Sequence, residues 1–233
     1  MQRSEAAASR GRPIAPRRRE APLPASVPSY RVGFGAALIA AAINAVFGLI
    51  IAWVLVRLKF PGRRVLSALI DFVRATPFMV QLFAIYFGLP ATGIKLGALT
   101  SAVLAMAIHS AAYLAEILKT SYLGVPIGQH LAARALGMSR LETLRHVVLP
   151  QMLPGLTVPT LNTIVAMVKD SAIVSVIGVH ELMLQSQELI GATFRPMEFY
   201  GIAALLYFVV TYPMLLAGRA LERRYQRRGL LGV

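Results

Sequence analysis

A chain of 233 residues that is 57% hydrophobic and only 15% charged is too apolar for an ordinary soluble domain, which carries about 25% charged residues. Its 24 Lys plus Arg against 10 Asp plus Glu give a formal charge of +14. The cations sit at the ends of long apolar runs, a pattern that excludes a nucleic-acid partner and points to membrane lipid. Cysteine is absent, which excludes disulfides and thiolate zinc sites.

Residues 1–31 hold seven Arg among Pro and Ala, and read as a disordered basic tail. The chain from 32 to 218 reads as a transmembrane domain, and 219–233 as a basic tail. Gly33 to Val56 is a 24-residue run without a charge, long enough to cross roughly 30 Å of hydrocarbon. Further runs lie at about 66–89, 96–115, 156–179 and 200–216. Backbone groups in lipid must be satisfied internally, so these runs predict helices. None has the period-two alternation of barrel strands. Pro159 and Pro213 are candidate kink positions. The fold class predicted is an all-α membrane protein with about five spans.

Basic residues set the orientation. Arg57, Lys59, Arg63 and Arg64 follow the first run. Lys119, Arg134, Arg140 and Arg145 lie between the third and fourth, and Arg219, Arg223, Arg224, Arg227 and Arg228 follow the fifth. This bias predicts a cytoplasmic C-terminus and a cytoplasmic loop over 116–151. Five spans then place the N-terminal tail outside, against the preference of its seven Arg. Later spans override it, the true start lies downstream, or the span count differs by one.

The 116–151 loop is the most informative stretch. Pro126 and Gly128 precede a short helix over Gln129 to Leu136. Gly137 stands where a helix C-cap glycine would stand. Ser139 and Glu142 form a capping box for a second helix. There Leu141, Leu144 and Val148 share one face, and Pro150 is expected to stop it. From periodicity alone, the element is equally an amphipathic hairpin on lipid headgroups or a rigid knob that docks into a partner.

Several charges fall inside predicted spans, at roughly 2.5–3.5 kcal/mol each on insertion scales. Asp71 and Arg74 are spaced to pair on one helix face, and Arg74 is near enough a membrane end to snorkel. Asn162 and Lys169 share a stripe, as do Thr163 and Asp170. These stripes either pair with other helices or line a solute path. Glu116 closes the third span, within reach of a basic loop residue. His109 reads as a hydrogen-bonded packing residue. His130, His146 and His180 fall in loops, and no metal-ligand set converges. No GxxxxGK[ST], GxSxG or HExxH run is present, so neither ATP binding nor catalysis is expected on this chain.

The run Ala132-Ala133, Gly137 and Val147-Val148-Leu149-Pro150 matches the spacing of the coupling-loop motif of binding-protein-dependent ABC importers. Ala111-Ala112-Tyr113-Leu114-Ala115-Glu116-Ile117 resembles a segment of the polar amino acid permeases (histidine/glutamine permease-like). So do Arg74-Ala75-Thr76-Pro77, Gln81-Leu82-Phe83, Val125-Pro126-Ile127-Gly128-Gln129, Lys169-Asp170-Ser171, Ile177-Gly178-Val179, Glu181-Leu182 and Leu221-Glu222-Arg223-Arg224. The resemblance runs from about Gly33 to Arg224. It departs at Leu131, where the motif has Glu, at Ala75 for Gly, and at Ala172 for Ser or Thr.

The resemblance implies a multi-pass subunit of a bacterial plasma (inner) membrane that pairs with a second permease subunit, as homodimer or heterodimer. An extracytoplasmic solute-binding protein would deliver an amino acid or a derivative. A separate ABC ATPase would use ATP and Mg, with no cofactor on this chain. Leu131, Ala132, Ala133, Gly137, Leu149 and Pro150 would meet that ATPase. Arg74, Glu116, Asn162, Lys169 and Asp170 are the candidates for the translocation pathway. A stand-alone secondary transporter or channel, and a membrane-embedded enzyme, are the rival functions. No internal repeat supports the first rival, and no convergent acid–base set the second.

Overall fold

A computed structural model describes residues 63–227. The predicted N-terminal tail and the first predicted span, Gly33 to Val56, lie outside the described residues. Seven helical elements follow, with no strand among the described residues. They are α1 (Arg63–Ala75), α2 (Phe78–Phe83), α3 (Ala98–Leu123), α4 (Ile127–Ala135), α5 (Arg140–Ile177), α6 (Leu182–Thr193) and α7 (Pro196–Arg227). Three of them, α3, α5 and α7, are long and apolar enough to cross a membrane.

The run predicted as a span over about 66–89 is a bent pair. Helix α1 ends at Ala75, and α2 departs at 109° and continues through a π turn, Ala84–Gly88, and a 3-10 turn, Leu89–Thr92. The cause is Pro77, which has no N–H to give the carbonyl of Val73 and disfavours the helical conformation at Thr76. If the pair is one span, the described residues hold four.

Pro150 does not stop the second helix of the 116–151 loop. That helix runs from the capping box at Ser139 straight into the fourth span. A π turn, Thr143–Val148, precedes Pro150, which sits in the first turn of the α-helical segment Leu149–Asp170. In this continuous helix Pro150 has no N–H for the His146 carbonyl, and the loss falls beside the π turn, where the i−4 ladder is already interrupted. Pro154 and Pro159 also lie within this segment, as Pro213 does within α7. His130 and His146, expected in loops, stand on α4 and α5.

Helix α3 is the hub. Apart from Met106 and Leu118, its buried face is made of small residues (Ser101, Ala102, Ala105, Ala107, Ser110, Ala111, Ala112 and Ala115), which let neighbouring backbones approach closely. Phe78, Leu82, Ala102, Met106, Met167, Val174 and Ile177 join α2, α3 and α5 in one core. Leu118, Val125, Val148 and Met152 form a second core beneath the coupling loop. Ile70, Ala112 and Ala115 join α1 to α3. Helix α7 packs on α5 and α6 but leaves Leu205, Phe208 and Val209 exposed, as a helix facing lipid or a second subunit would.

Candidate functional site

The segment predicted to couple consists of α4, the turn at Gly137, and the start of α5. Gly137 has φ +77°, a left-handed conformation costly to any residue with a Cβ. The Met138 N–H donates to the Ala133 carbonyl at 3.1 Å, and the Gly137 N–H to that of Arg134 at 3.0 Å. This pair of bonds is a Schellman termination. Two residues on, the Ser139 N–H donates to Glu142 Oε2 at 2.8 Å and the Glu142 N–H to Ser139 Oγ at 3.3 Å. The Ser139 side chain, then its backbone N–H, holds the Glu142 carboxyl below its ordinary value, because a donor at the carboxylate favours its ionised form. Both backbone breaks are thus closed by local bonds, and the element is stiff.

Its packing divides the predicted coupling residues. Ala133 is buried and seats α4, with Val148 and Leu144 on the core below. Leu131, Leu149 and Leu136 are exposed, and Ala132 and Pro150 with them. Leu141, predicted to share the buried face of Leu144 and Val148, is 72% exposed. The π turn shifts register after Thr143, so the face extrapolated from an ideal helix fails at its first member. The element therefore presents Ile127, Leu131, Leu136 and Leu141 outward with Arg134 and Arg140 among them, an apolar and cationic surface for a partner.

At the elbow, Gln81 does what the sequence did not disclose. Its Nε2 donates to the Val73 carbonyl at 2.6 Å and the Thr76 carbonyl at 3.0 Å. Its Oε1 lies 3.2 Å from His109 Nδ1. Gln81 thus replaces the donor that Pro77 lacks and ties the elbow to α3. His109 is the hydrogen-bonded packing residue expected, between the rings of Phe78 and Tyr113.

Arg74 and Glu116 come together. Arg74 Nη1 is 3.6 Å from Asp71 Oδ1 and 3.9 Å from Glu116 Oε2. Lys119 Nζ donates to both Glu116 oxygens, at 3.2 and 3.0 Å. The Arg74 guanidinium lies 5.6 Å from the Tyr113 ring centroid. A cavity of about 460 Å³ opens beside them, lined also by Thr120, Gln151 and Met152. The other three pathway candidates do not line it. Asn162 and Lys169 are exposed, and Asp170 is half-buried. Asp170 closes the α segment of α5 where it tightens to the 3-10 turn Ser171–Ile177. No group of three metal-ligating side chains occurs among the described residues.

Helix α6 was not legible as an element. Glu181, 1% exposed, starts it by accepting the Leu184 N–H at 2.8 Å, and also accepts the Tyr207 hydroxyl of α7 at 2.9 Å.

Residues 44–227 match the family described as binding-protein-dependent transport system inner membrane component. The glutamine transport system permease protein GlnP of Escherichia coli (strain K12) is 39% identical over 157 residues, 66% of this chain and 72% of that one. The arginine transport system permease protein ArtQ of Bacillus subtilis (strain 168) is 32% identical, over 85% of this chain and 93% of that one. A crystal structure of an amino acid ABC transporter with histidines superposes with TM-score 0.78 at 37% identity, covering 84% of this chain and 92% of its counterpart. The MetNI methionine ABC transporter shares the fold, with TM-score 0.67 at 24% identity over 83% and 92%. Family model, relatives and fold agree, and the chain belongs to the inner-membrane permease components of binding-protein-dependent ABC importers.

Proposed function

We propose that this chain, paired with a second permease subunit, forms the pathway by which an ATP-driven importer takes up an amino acid or amino-acid-like solute. An extracytoplasmic binding protein delivers the solute, and a partner ABC ATPase hydrolyses ATP with Mg. The chain crosses a bacterial plasma membrane several times, in contact with lipid, with the C-terminus of α7 in the cytoplasm. The coupling element, with Leu131, Ala132, Ala133, Gly137, Leu149 and Pro150, meets the ATPase. Arg74, Glu116, Asn162, Lys169 and Asp170 face the solute path.

The observation that carries this reading is the continuity of the coupling element with α5. Because the helix runs unbroken from Arg140 to Ile177, force on α4 enters a span directly as a lever. A two-state bundle needs such a lever for nucleotide closure at one end to bias its conformation. Gly137→Pro tests it, since proline holds φ near −65° and cannot adopt +77°. The expected result is loss of binding-protein-stimulated ATPase activity with normal membrane insertion. Full stimulation in this variant would contradict the lever.

A further inference from the structure

The cavity beside Arg74 is unlike a structural ion pair. Arg74 Nη1 lies 3.6 and 3.9 Å from its two carboxylates, beyond hydrogen-bond length. Its Nε is buried with no hydrogen-bond partner among the described residues. A half-buried guanidinium left short of acceptors is costly, and a carboxylate is the group that matches its fork. The Tyr113 ring lies against the guanidinium, and the Tyr113 hydroxyl donates to the Arg74 carbonyl at 3.3 Å. Arg74 is thereby held in place before any ligand arrives.

Glu116 faces the same cavity and supplies the opposite charge. Lys119 occupies part of its acceptor capacity, and two carboxylate oxygens accept about four bonds. Both groups are reachable, with Arg74 35% and Glu116 26% exposed. A volume of about 460 Å³ falls in the range of small-molecule sites.

We propose that this cavity is a holding site for a zwitterionic α-amino acid at the coupling-element end of the bundle, with the carboxylate on Arg74 and the ammonium on Glu116. The ligand would part a pair that is already loose, exchanging one long contact for charged hydrogen bonds. This inference rests on the amino-acid importer reading above.

The test uses the absence of native cysteine. Thr120 is exposed on the cavity wall, and Thr120→Cys gives a single reporter. Its alkylation by a maleimide is timed in the purified permease–ATPase complex without binding protein, with L-glutamine, L-arginine or L-histidine present. ATP-driven uptake of each is measured in parallel in vesicles that hold the native-sequence complex supplied with its binding protein. At least one imported amino acid should slow alkylation about tenfold, while its methyl ester, lacking the carboxylate charge, should not. The neutral pair Arg74→Gln/Glu116→Gln, which strands no charge, should abolish the protection. Protection that the ester matches, that survives the neutral pair, or that glycerophosphoethanolamine alone provides would overturn the site. Uptake without protection overturns this inference alone, whereas absence of ATP-driven uptake of these three and of every other amino acid in a panel of the common amino acids and cystine overturns the parent reading and this one with it.

Discussion

Replacing Gln81 by Met keeps the volume of the side chain and removes its donors. The Val73 and Thr76 carbonyls then lose bonds of 2.6 and 3.0 Å, and His109 loses its contact at 3.2 Å. Pro77 offers no replacement N–H, so the Val73 carbonyl keeps only the Thr76 hydroxyl at 3.2 Å and the Thr76 carbonyl is the one stranded. Side-chain hydrogen bonds between membrane helices average about 0.6 kcal/mol and reach about 1.7, and a carbonyl stranded away from water adds roughly 1 kcal/mol more. The expected loss is about 2–3 kcal/mol. For a chain of this size, that lowers the midpoint of thermal unfolding by about 4–12 °C, read by intrinsic fluorescence of the detergent-purified protein. His109→Phe should add little on top of Gln81→Met, because the two share one network. A Gln81→Met variant within about 0.5 kcal/mol of wild type would refute the elbow argument, and would mean that packing by Phe78 and Leu82 alone holds the 109° bend.

Glu181 should behave as a buried cap. Glu181→Ala should cost about 2–3 kcal/mol by stranding the Leu184 N–H and the Tyr207 hydroxyl, while Glu181→Gln, which keeps an acceptor, should cost less. Burial raises the Glu181 carboxyl above its ordinary value of 4.5, so the folded state binds a proton more tightly than the unfolded one. Stability is then greatest at low pH and falls as pH rises from about 4.5 through the folded value. Denaturation across that range should show the fall in wild type and its absence in Glu181→Gln.

What the sequence disclosed was local. The capping box at Ser139 and Glu142 and the left-handed Gly137 are decided within a few residues, and both stand as read. The apolar runs disclosed α3, α5 and α7, since length and composition are what lipid selects. Extrapolation across a break failed. Hydropathy cannot see an elbow, so 66–89 read as a span although Thr76-Pro77 carried the signal. Pro150 read as a stop because the sequence does not show the π turn before it, which interrupts the i−4 ladder where proline lacks its N–H. Arg74 and Glu116 were each visible as costly charges. Their meeting across α1 and α3 depends on Ile70 packing against Ala112 and Ala115, a tertiary fact. Gln81 escaped because a lone glutamine in an apolar run has no spacing to betray it.

The coupling claim is tested most directly by a photo-reactive amino acid at position 131, at the exposed centre of α4, in cells producing the whole importer. Irradiation should attach the ATPase subunit to this chain, and the yield should change when ATP is trapped. An adduct only with lipid or with the extracytoplasmic binding protein would contradict the account.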